Sequence, residues 1–309
     1  MKKQFYTFFV MSVSVLTVGI LFSSCEDVIS PELEKADPIL VIDAWLTDQP
    51  GNQIITLTET QPYFENTLPS GVSGATISIA DDLGNVFTFQ EAVALKGNYV
   101  WTPFADEVIG TPGRTFTLVV ELNGETFTSS TKMGRVPTID SLTFTFEEET
   151  SISPDMFLGE FWARDFTGPN DTYRIKTWKN GVLLNKPSEL NLAYDAGFSA
   201  GGNFDGVVFA TPIRQGVNPF EEDENDEFLS PYVPGDSMYV ELHSITLEAF
   251  NFLSEVAIQT NRPGGFSELF ATPLSNVSTN IFNGNPNGKP VLGFFNVGAV
   301  SALGKKFEE

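Results

Sequence analysis

Short segments that alternate apolar and polar residues run through most of this chain and constrain its fold. Thr76 to Ala80 alternates in this way, as do parts of 114–122 and 125–131. The last two segments are joined by Asn123-Gly124, a pair that tolerates positive φ at both positions and is a strong signal for a β-hairpin. A two-residue period indicates strands with one buried face. The sequence therefore predicts a mainly β protein.

The segments divide into two groups. Roughly seven of them fall within residues 39–135, and a series of that density without a helical period is typical of an immunoglobulin-like or transthyretin-like β-sandwich. The break is predicted at Val136-Pro137. Beyond it, we expect a second β-rich domain over residues 136–309, with a hairpin turn at Asn180-Gly181 and strands at 141–146, 157–166, 207–213, 238–245 and 290–297.

One segment of the second group has a helical period instead. Leu247, Phe250 and Leu253 recur at three-residue spacing, and neither Gly nor Pro occurs from 246 to 260. Thr246 is a suitable N-cap, because its hydroxyl can accept a hydrogen bond from a free backbone N–H of the first turn. An amphipathic helix is therefore predicted near residues 246–260, ended by the Asn-Arg-Pro-Gly-Gly sequence that follows.

The N-terminus has the layout of a bacterial lipoprotein signal. Two lysines precede an uncharged stretch from Gln4 to Ser24, and Cys25 follows directly. A positive start, an apolar middle and small residues at the cut define a secretory signal. Residues 1–24 are predicted to be the signal peptide, with Cys25 lipidated as the first mature residue. Residues 25–38 are predicted to form a flexible acidic tether.

Two other interpretations of the leader stay open. Plain secretion needs the same features without the lipid, and a retained transmembrane anchor needs roughly 17–25 apolar residues. The stretch is about that long, but Ser12, Ser14, Thr17 and Gly19 dilute it and no basic stop-transfer residues follow it directly. These features favour a lipoprotein.

Charge and cysteine content exclude several classes of function. Cys25 is the only cysteine, so a lipid on its sulfur would leave no thiol for disulfides or catalysis. The formal net charge of −23 argues against binding nucleic acid or anionic lipid surfaces. The 28 Phe residues suit core packing. A sugar-binding platform is less favoured, although Trp45, Trp101, Trp162 and Trp178 leave that question open.

Catalytic and metal motifs are missing from the sequence. His243 is the only histidine and lies in a predicted strand, where a structural imidazole is the simplest interpretation. Common zinc sites and Cys–His catalysis are excluded, and no Gly-x-Ser-x-Gly elbow or phosphate-binding loop occurs. We therefore expect no catalytic residue, no metal and no cofactor. A hydrolase that uses two carboxylates stays a distant alternative, because the chain has 40 acids.

Two loops are candidates for contacts with a partner or ligand. Residues 221–227 form the densest acidic run, which is expected to be a solvated loop. Calcium binding stays open there, since calcium prefers oxygen ligands, but the spacing of a wrapped calcium loop is absent. Residues 195–206 hold four glycines with Phe198 and Phe204, which predicts either a flexible excursion or a contact loop.

Several pieces of the chain, taken in order, resemble a known family. They are Cys25 with its acidic follow-on, the strand sequence 40–47, the segment 74–79, the run 235–242 that leads into the helix, and Val291 to Phe295. In this order they resemble the Bacteroidota lipoprotein family called domain of unknown function 4249. The resemblance implies an outer-membrane lipoprotein facing the cell exterior, often encoded beside a TonB-dependent receptor. It carries over no catalytic motif.

Two functions of different classes follow from these observations. The first is a non-enzymatic binding or accessory subunit that works beside a TonB-dependent receptor in nutrient uptake, held to the membrane through the lipid on Cys25. The second is a structural or adhesive surface module with no transport role. A growth defect confined to one nutrient would favour the first, and altered attachment would favour the second.

Overall fold

The computed structural model describes residues 36–62, 65, 67–151, 153–197, 199, 201–225 and 227–308. The signal peptide predicted at 1–24, the lipidation site Cys25 and most of the tether lie outside the described residues. Residues Pro38–Glu309 form one compact unit.

Sixteen strands and two α-helices build this unit in its described part. The strands of the first half are β1 (Leu40–Thr47), β2 (Gln53–Glu59), β3 (Thr76–Asp81), β4 (Val86–Glu91), β5 (Asn98–Trp101), β6 (Thr115–Leu122), β7 (Glu125–Lys132) and β8 (Ile139–Glu147). The rest are β9 (Met156–Ala163), β10 (Thr172–Lys179), β11 (Val182–Leu183), β12 (Asn191–Tyr194), β13 (Ser237–Ile245), β14 (Phe282–Asn283), β15 (Val291–Gly298) and β16 (Val300–Lys306). The helices are α1 (Thr211–Gln215) and α2 (Leu247–Thr260), and 3₁₀ turns lie at Pro187–Glu189 and Gly265–Phe270.

Nine strands form one large sheet that is nearly closed into a barrel. Their order is β14-β7-β6-β3-β4-β5-β2-β1-β15. Neighbours pair antiparallel, except that β15 lies parallel to β1, with Leu40 opposite Val291 and Thr47 opposite Gly298. A hairpin can join only antiparallel strands. β15 lies far from β1 in the sequence, so no hairpin joins them and the two strands can pair parallel.

Alternation along the strands explains why this sheet curls around an apolar interior. In β3, for example, Ile77 and Ile79 are fully buried, while Ser78 between them and Ala80 after them are partly exposed. Burying one such side chain contributes about 1.5–3 kcal/mol. The same pattern in the other strands places Ile42, Leu57 and Phe116 in one core. The prediction of a mainly β fold is confirmed.

A second sheet has its own core. Its order is β11-β10-β13-β16, with β12 also paired to β10, and the β8–β9 hairpin packs nearby. Phe161, Tyr173 and Leu242 are fully buried in this core. Val136 is partly buried and contacts both cores, so the chain passes from one to the other at the predicted break.

The domain boundary at residues 135/136 stays a prediction. The strand order shows that the sheets do not divide at this position. The nine-stranded sheet takes β14 and β15 from beyond residue 136. The next strand, β16, then joins the second sheet beside β13. Strands from the C-terminal end of the chain therefore enter both sheets.

The helix and both Asn-Gly turns are confirmed. The Thr246 hydroxyl accepts a hydrogen bond from the Ala249 N–H at 3.2 Å, as expected of an N-cap. Asn123 and Gly124 have φ of 52° and 82°, and Asn180 and Gly181 have φ of 51° and 79°. Positive φ at both positions is what a two-residue hairpin with matching strand twist requires.

One expectation about the second half was wrong. The strand predicted at 207–213 is absent, and residues Thr211–Gln215 form α1 instead. Pro212 sits in the first turn, where its missing N–H costs nothing and its fixed φ suits a helix. The strand predicted at 290–297 is confirmed as β15, and β16 follows it and completes the second sheet. Within the described residues, the helices fall short of the length and apolar character that crossing a bilayer requires.

Candidate functional site

The edge strand β14 covers only Phe127 and Thr128 of β7. A seam therefore separates the rest of β7 from the opposite edge strand, β15, and one residue bridges it. Asn280 donates from Nδ2 to the Phe295 carbonyl at 2.8 Å and accepts from the Phe295 N–H at 2.9 Å. On the other side, Ser129 Oγ donates to the Asn280 carbonyl at 2.7 Å. Asn280 thus takes the place of a missing strand, because it satisfies backbone groups that the seam would leave unpaired.

A groove of about 900 Å³ lies along this seam. One wall is the outer face of β6 and β7, and the other is the first half of α2. The volume falls within the range of roughly 300–1,000 Å³ that is typical of ligand sites. We call this space the seam groove.

Hydroxyl groups line the sheet wall of the seam groove. Thr115, Thr117, Thr128 and Ser130 point outward beside Lys132, because their neighbours Phe116, Leu118 and Phe127 point into the core. Thr117 lies directly opposite Ser130 in the β6–β7 register. Within the part of the chain that the structure describes, these four hydroxyls make no side-chain hydrogen bond. Each can therefore donate and accept toward a ligand.

The helical wall is polar and the base is aromatic. Glu248 and Asn251 are exposed on α2, and Glu255 accepts the Ser278 N–H at 2.7 Å. Phe294 lies at the base, stacked on Trp45 with ring centroids 5.6 Å apart. An apolar base with hydrogen-bonding walls suits a polar ligand that has one apolar face. Among the described residues that line this groove, none is histidine or cysteine.

His243 lies on β13 and does not line the seam groove. Its Nε2 is 2.7 Å from Glu241 Oε2, and both side chains are largely buried. Burial lowers the pKa of His243, although the hydrogen bond to Glu241 opposes that effect. Because a carboxylate can only accept, the contact with Glu241 requires a proton on Nε2. This arrangement agrees with the interpretation of His243 as a structural residue.

The described residues of the acidic run 221–227 include a tight turn. Asp223 accepts the N–H groups of Asn225 at 2.8 Å and Glu227 at 3.0 Å. These hydrogen bonds lower the pKa of Asp223. Asp226 is outside the described residues; among those described, no three His, Cys, Asp or Glu side chains are grouped to hold a metal ion.

The glycine-rich loop 195–206 is held to the second core by Phe204. Its ring lies against Gly197 and Gly202, where a Cβ atom would come within about 2 Å of it. Two residues of this loop, Phe198 and Ala200, are outside the described residues. Phe204 is therefore a packing residue rather than an exposed contact.

The four tryptophans do not form one platform. Trp101 is buried against Phe87, and Trp45 packs on Phe294 and Phe252. The Arg214 guanidinium lies 3.6 Å above the Trp162 ring, and Trp178 contacts Tyr239. None of these four rings lines the seam groove.

The sequence predicted β7 as a strand, but it did not predict that the hydroxyl side chains of β7 line a binding groove. Alternating Thr and Ser on a strand usually form a solvent face, and the sequence does not show that α2 stands opposite them. The signal that could have found the site is the density of hydroxyls in Glu125–Lys132, with Lys132 at its end.

A family model described as a domain of unknown function, DUF4249, matches residues 26–303. No curated protein matches the chain.

Proposed function

Because the chain belongs to the DUF4249 family through residues 26–303, we propose that it is a non-enzymatic binding subunit of the bacterial outer membrane. In this proposal, lipid on Cys25 anchors the protein facing the cell exterior. The protein captures a nutrient and works beside a TonB-dependent receptor. Neither a metal nor a cofactor takes part.

The seam groove is the observation that carries this proposal. Its four hydroxyls have no partner within the described residues, and its base is the aromatic ring of Phe294. Hydroxyls on strands held by a backbone ladder are preorganised, so little side-chain freedom is lost on binding. The chemistry fits a polar ligand that carries little charge, since Lys132 faces Glu248 and Glu255 across the groove.

Growth of variant strains tests the proposal. In a strain deleted for the gene, the wild-type copy should restore growth on one class of nutrient. Ser130→Trp should fail to restore it, because the indole fills the groove. The matched control is Thr126→Trp, which changes an exposed residue on the same strand that does not line the groove.

A third variant tests the membrane anchor in the same strain. Cys25→Ser removes the lipidated residue and should give the growth defect of the deletion, with the protein recovered in the soluble fraction. Normal growth of the Ser130→Trp strain on every nutrient, with normal protein levels, would contradict the proposal.

One observation favours the alternative of an adhesive module. Phe266, Leu269 and Phe270 in the 3₁₀ turn Gly265–Phe270 are 77%, 76% and 78% exposed. Exposed apolar side chains that lie close together commonly mark interaction sites. Surface attachment is therefore measured in the same strains. Loss of attachment with unchanged growth would favour the adhesive function.

A further inference from the structure

An exposed apolar patch lies where the loop 219–231 meets the end of the β8–β9 hairpin. Phe220, Phe228 and Leu229 are 60%, 36% and 46% exposed. Together with Met156 they surround a small cavity of about 160 Å³. The rings of Phe220 and Phe228 meet edge to face, with centroids 5.0 Å apart. We call these four residues the apolar patch.

Backbone hydrogen bonds hold the patch residues in place. Glu222 and Phe228 form a β-bridge, and the Leu229 N–H donates to the Glu221 carbonyl at 3.0 Å. Asp223 closes the turn between them through the N–H groups of Asn225 and Glu227. The acidic run is thus a short hairpin with the aromatic residues at its base. A surface held in this way loses little conformational entropy on binding.

Carboxylates flank the patch on two sides. The hairpin turn exposes Glu221, Glu222, Glu224 and Glu227. The tip of the β8–β9 hairpin exposes a second group, which consists of Glu147, Glu148, Glu149 and Asp155. Met156 and Ser153 of that tip line the same cavity as Phe220 and Phe228, so the two acidic segments are neighbours. Lys186 is a nearby cation, and its Nζ donates to the Phe220 carbonyl at 3.3 Å.

These observations together select the chemistry of a partner. Like charges held close together repel each other, and a partner that brings positive charge relieves this repulsion while it steers association. The exposed rings gain free energy only when another apolar surface covers them. We propose that the apolar patch docks a protein partner whose contact surface has an apolar centre surrounded by Lys and Arg.

Other occupants fit less well. Anionic lipid and nucleic acid would be repelled by the flanking carboxylates. A metal ion would not cover Phe220 and Leu229, and the described acids do not group around a cation site. A second copy of this chain would bring one acidic rim against another. The proposal deepens the proposed function by naming the surface that contacts the partner, and it rests on that function for the partner's place in the same membrane.

Site-specific photocrosslinking in intact cells tests the proposal. A benzophenone amino acid is placed at Phe220 or Leu229, and at Leu83 or Val86 as controls. Leu83 is 75% and Val86 is 63% exposed, and they lie in and directly after the turn between β3 and β4 of the large sheet. We expect one crosslinked protein from the patch positions and none from the controls. The crosslinked peptide of the partner, read by mass spectrometry, should lie beside Lys or Arg residues.

Charge variants complete the test. The triple change Glu221→Gln, Glu222→Gln and Glu224→Gln should reduce the crosslink about tenfold, and so should high salt, because both weaken the attraction. Crosslinks only to another copy of this chain, equal crosslinking from the control positions, or no effect of charge would each overturn the proposal. Ser130→Trp should leave the crosslink unchanged. Failure of docking can therefore be told apart from failure of the seam groove.

Discussion

The two sheets of this protein are held together by different means. In the nine-stranded sheet, some buried polar groups serve turns at strand ends, as when Asp81 accepts the N–H groups of Leu83 and Asn85. In the second region, buried side chains bond across the core, as when the Tyr173 hydroxyl donates to Asp165 at 2.7 Å. In a long sheet the backbone groups pair with each other, so the buried side chains can be apolar. In irregular segments the backbone groups lack such partners, so polar side chains must satisfy them.

Loops in the second region show this need directly. Asn218 accepts the Gly159 N–H and donates back to the Gly159 carbonyl, at 2.7 and 3.0 Å. Arg135 pairs with Asp171 and also donates to the Thr167 and Gly168 carbonyls. We expect substitutions that disturb backbone geometry to reduce stability most in the large sheet. Substitutions that remove polar side-chain groups should reduce stability most in the second region.

The largest effect is expected from Gly293→Ala in β15. Gly293 has φ of 97°, and a Cβ there would stand 2.0 Å from the Ile42 carbonyl oxygen in β1. Relieving this overlap must disturb the parallel pairing, at a cost of about 3–5 kcal/mol in the free energy of unfolding. Urea denaturation measures that cost.

A matched glycine separates the overlap from backbone strain. Gly51 has φ of 113° but no atom within 4 Å of its added Cβ. Gly51→Ala should cost only the strain of that conformation, about 1–3 kcal/mol. Equal losses for the two variants would show that contact with β1 is unimportant.

An intermediate effect is expected from Tyr173→Phe. Loss of the hydroxyl removes the side-chain hydrogen bond to the buried Asp165 carboxyl, which should destabilise the protein by about 1–3 kcal/mol. The control is Tyr99→Phe in the large sheet. Its hydroxyl bonds to the backbone of Val72 and Ala75, which are partly exposed, so water can replace it at a cost of about 0.5–1.5 kcal/mol. A larger loss from Tyr99→Phe in urea denaturation would reverse the comparison.

The smallest effect concerns pH. Burial raises the pKa of Asp165, and the charges of Asp171 and Asp195 add to this, although the Tyr173 hydroxyl opposes them. The folded protein therefore binds the proton more tightly than the unfolded chain does. Stability is lost as pH rises from the usual Asp pKa of about 3.9 through the raised folded value.

Asp165→Asn should remove this loss, an effect on the order of 1 kcal/mol, comparable to one hydrogen bond. Denaturation midpoints measured from mildly acidic to neutral pH check it. Asp140→Asn, which changes an exposed carboxylate, serves as the control. If the wild-type protein and Asp165→Asn lose stability in parallel as pH rises, Asp165 is not the group responsible.

Local signals predicted the elements of this fold more fully than their arrangement. Thr246 and the spacing of Leu247, Phe250 and Leu253 predicted α2, because capping and helical period are properties of neighbouring residues. The turn at Asn123-Gly124 was predicted for the same reason, because the Asn-Gly pair is itself a local signal. The segment 207–213 does not form the predicted strand because its apolar residues suit a strand or a helix, and Pro212 in the first turn of α1 favours the helix.

The sequence alone determined the mainly β class, the helix, the hairpins and the family. Tertiary structure decided what those elements form together. β15 lies beside β1 although some 250 residues separate them, and no local pattern encodes such a pairing because the free energy comes from burial and a ladder completed at long range. The seam groove and the apolar patch exist only through such pairings, since each joins segments that are distant in the chain.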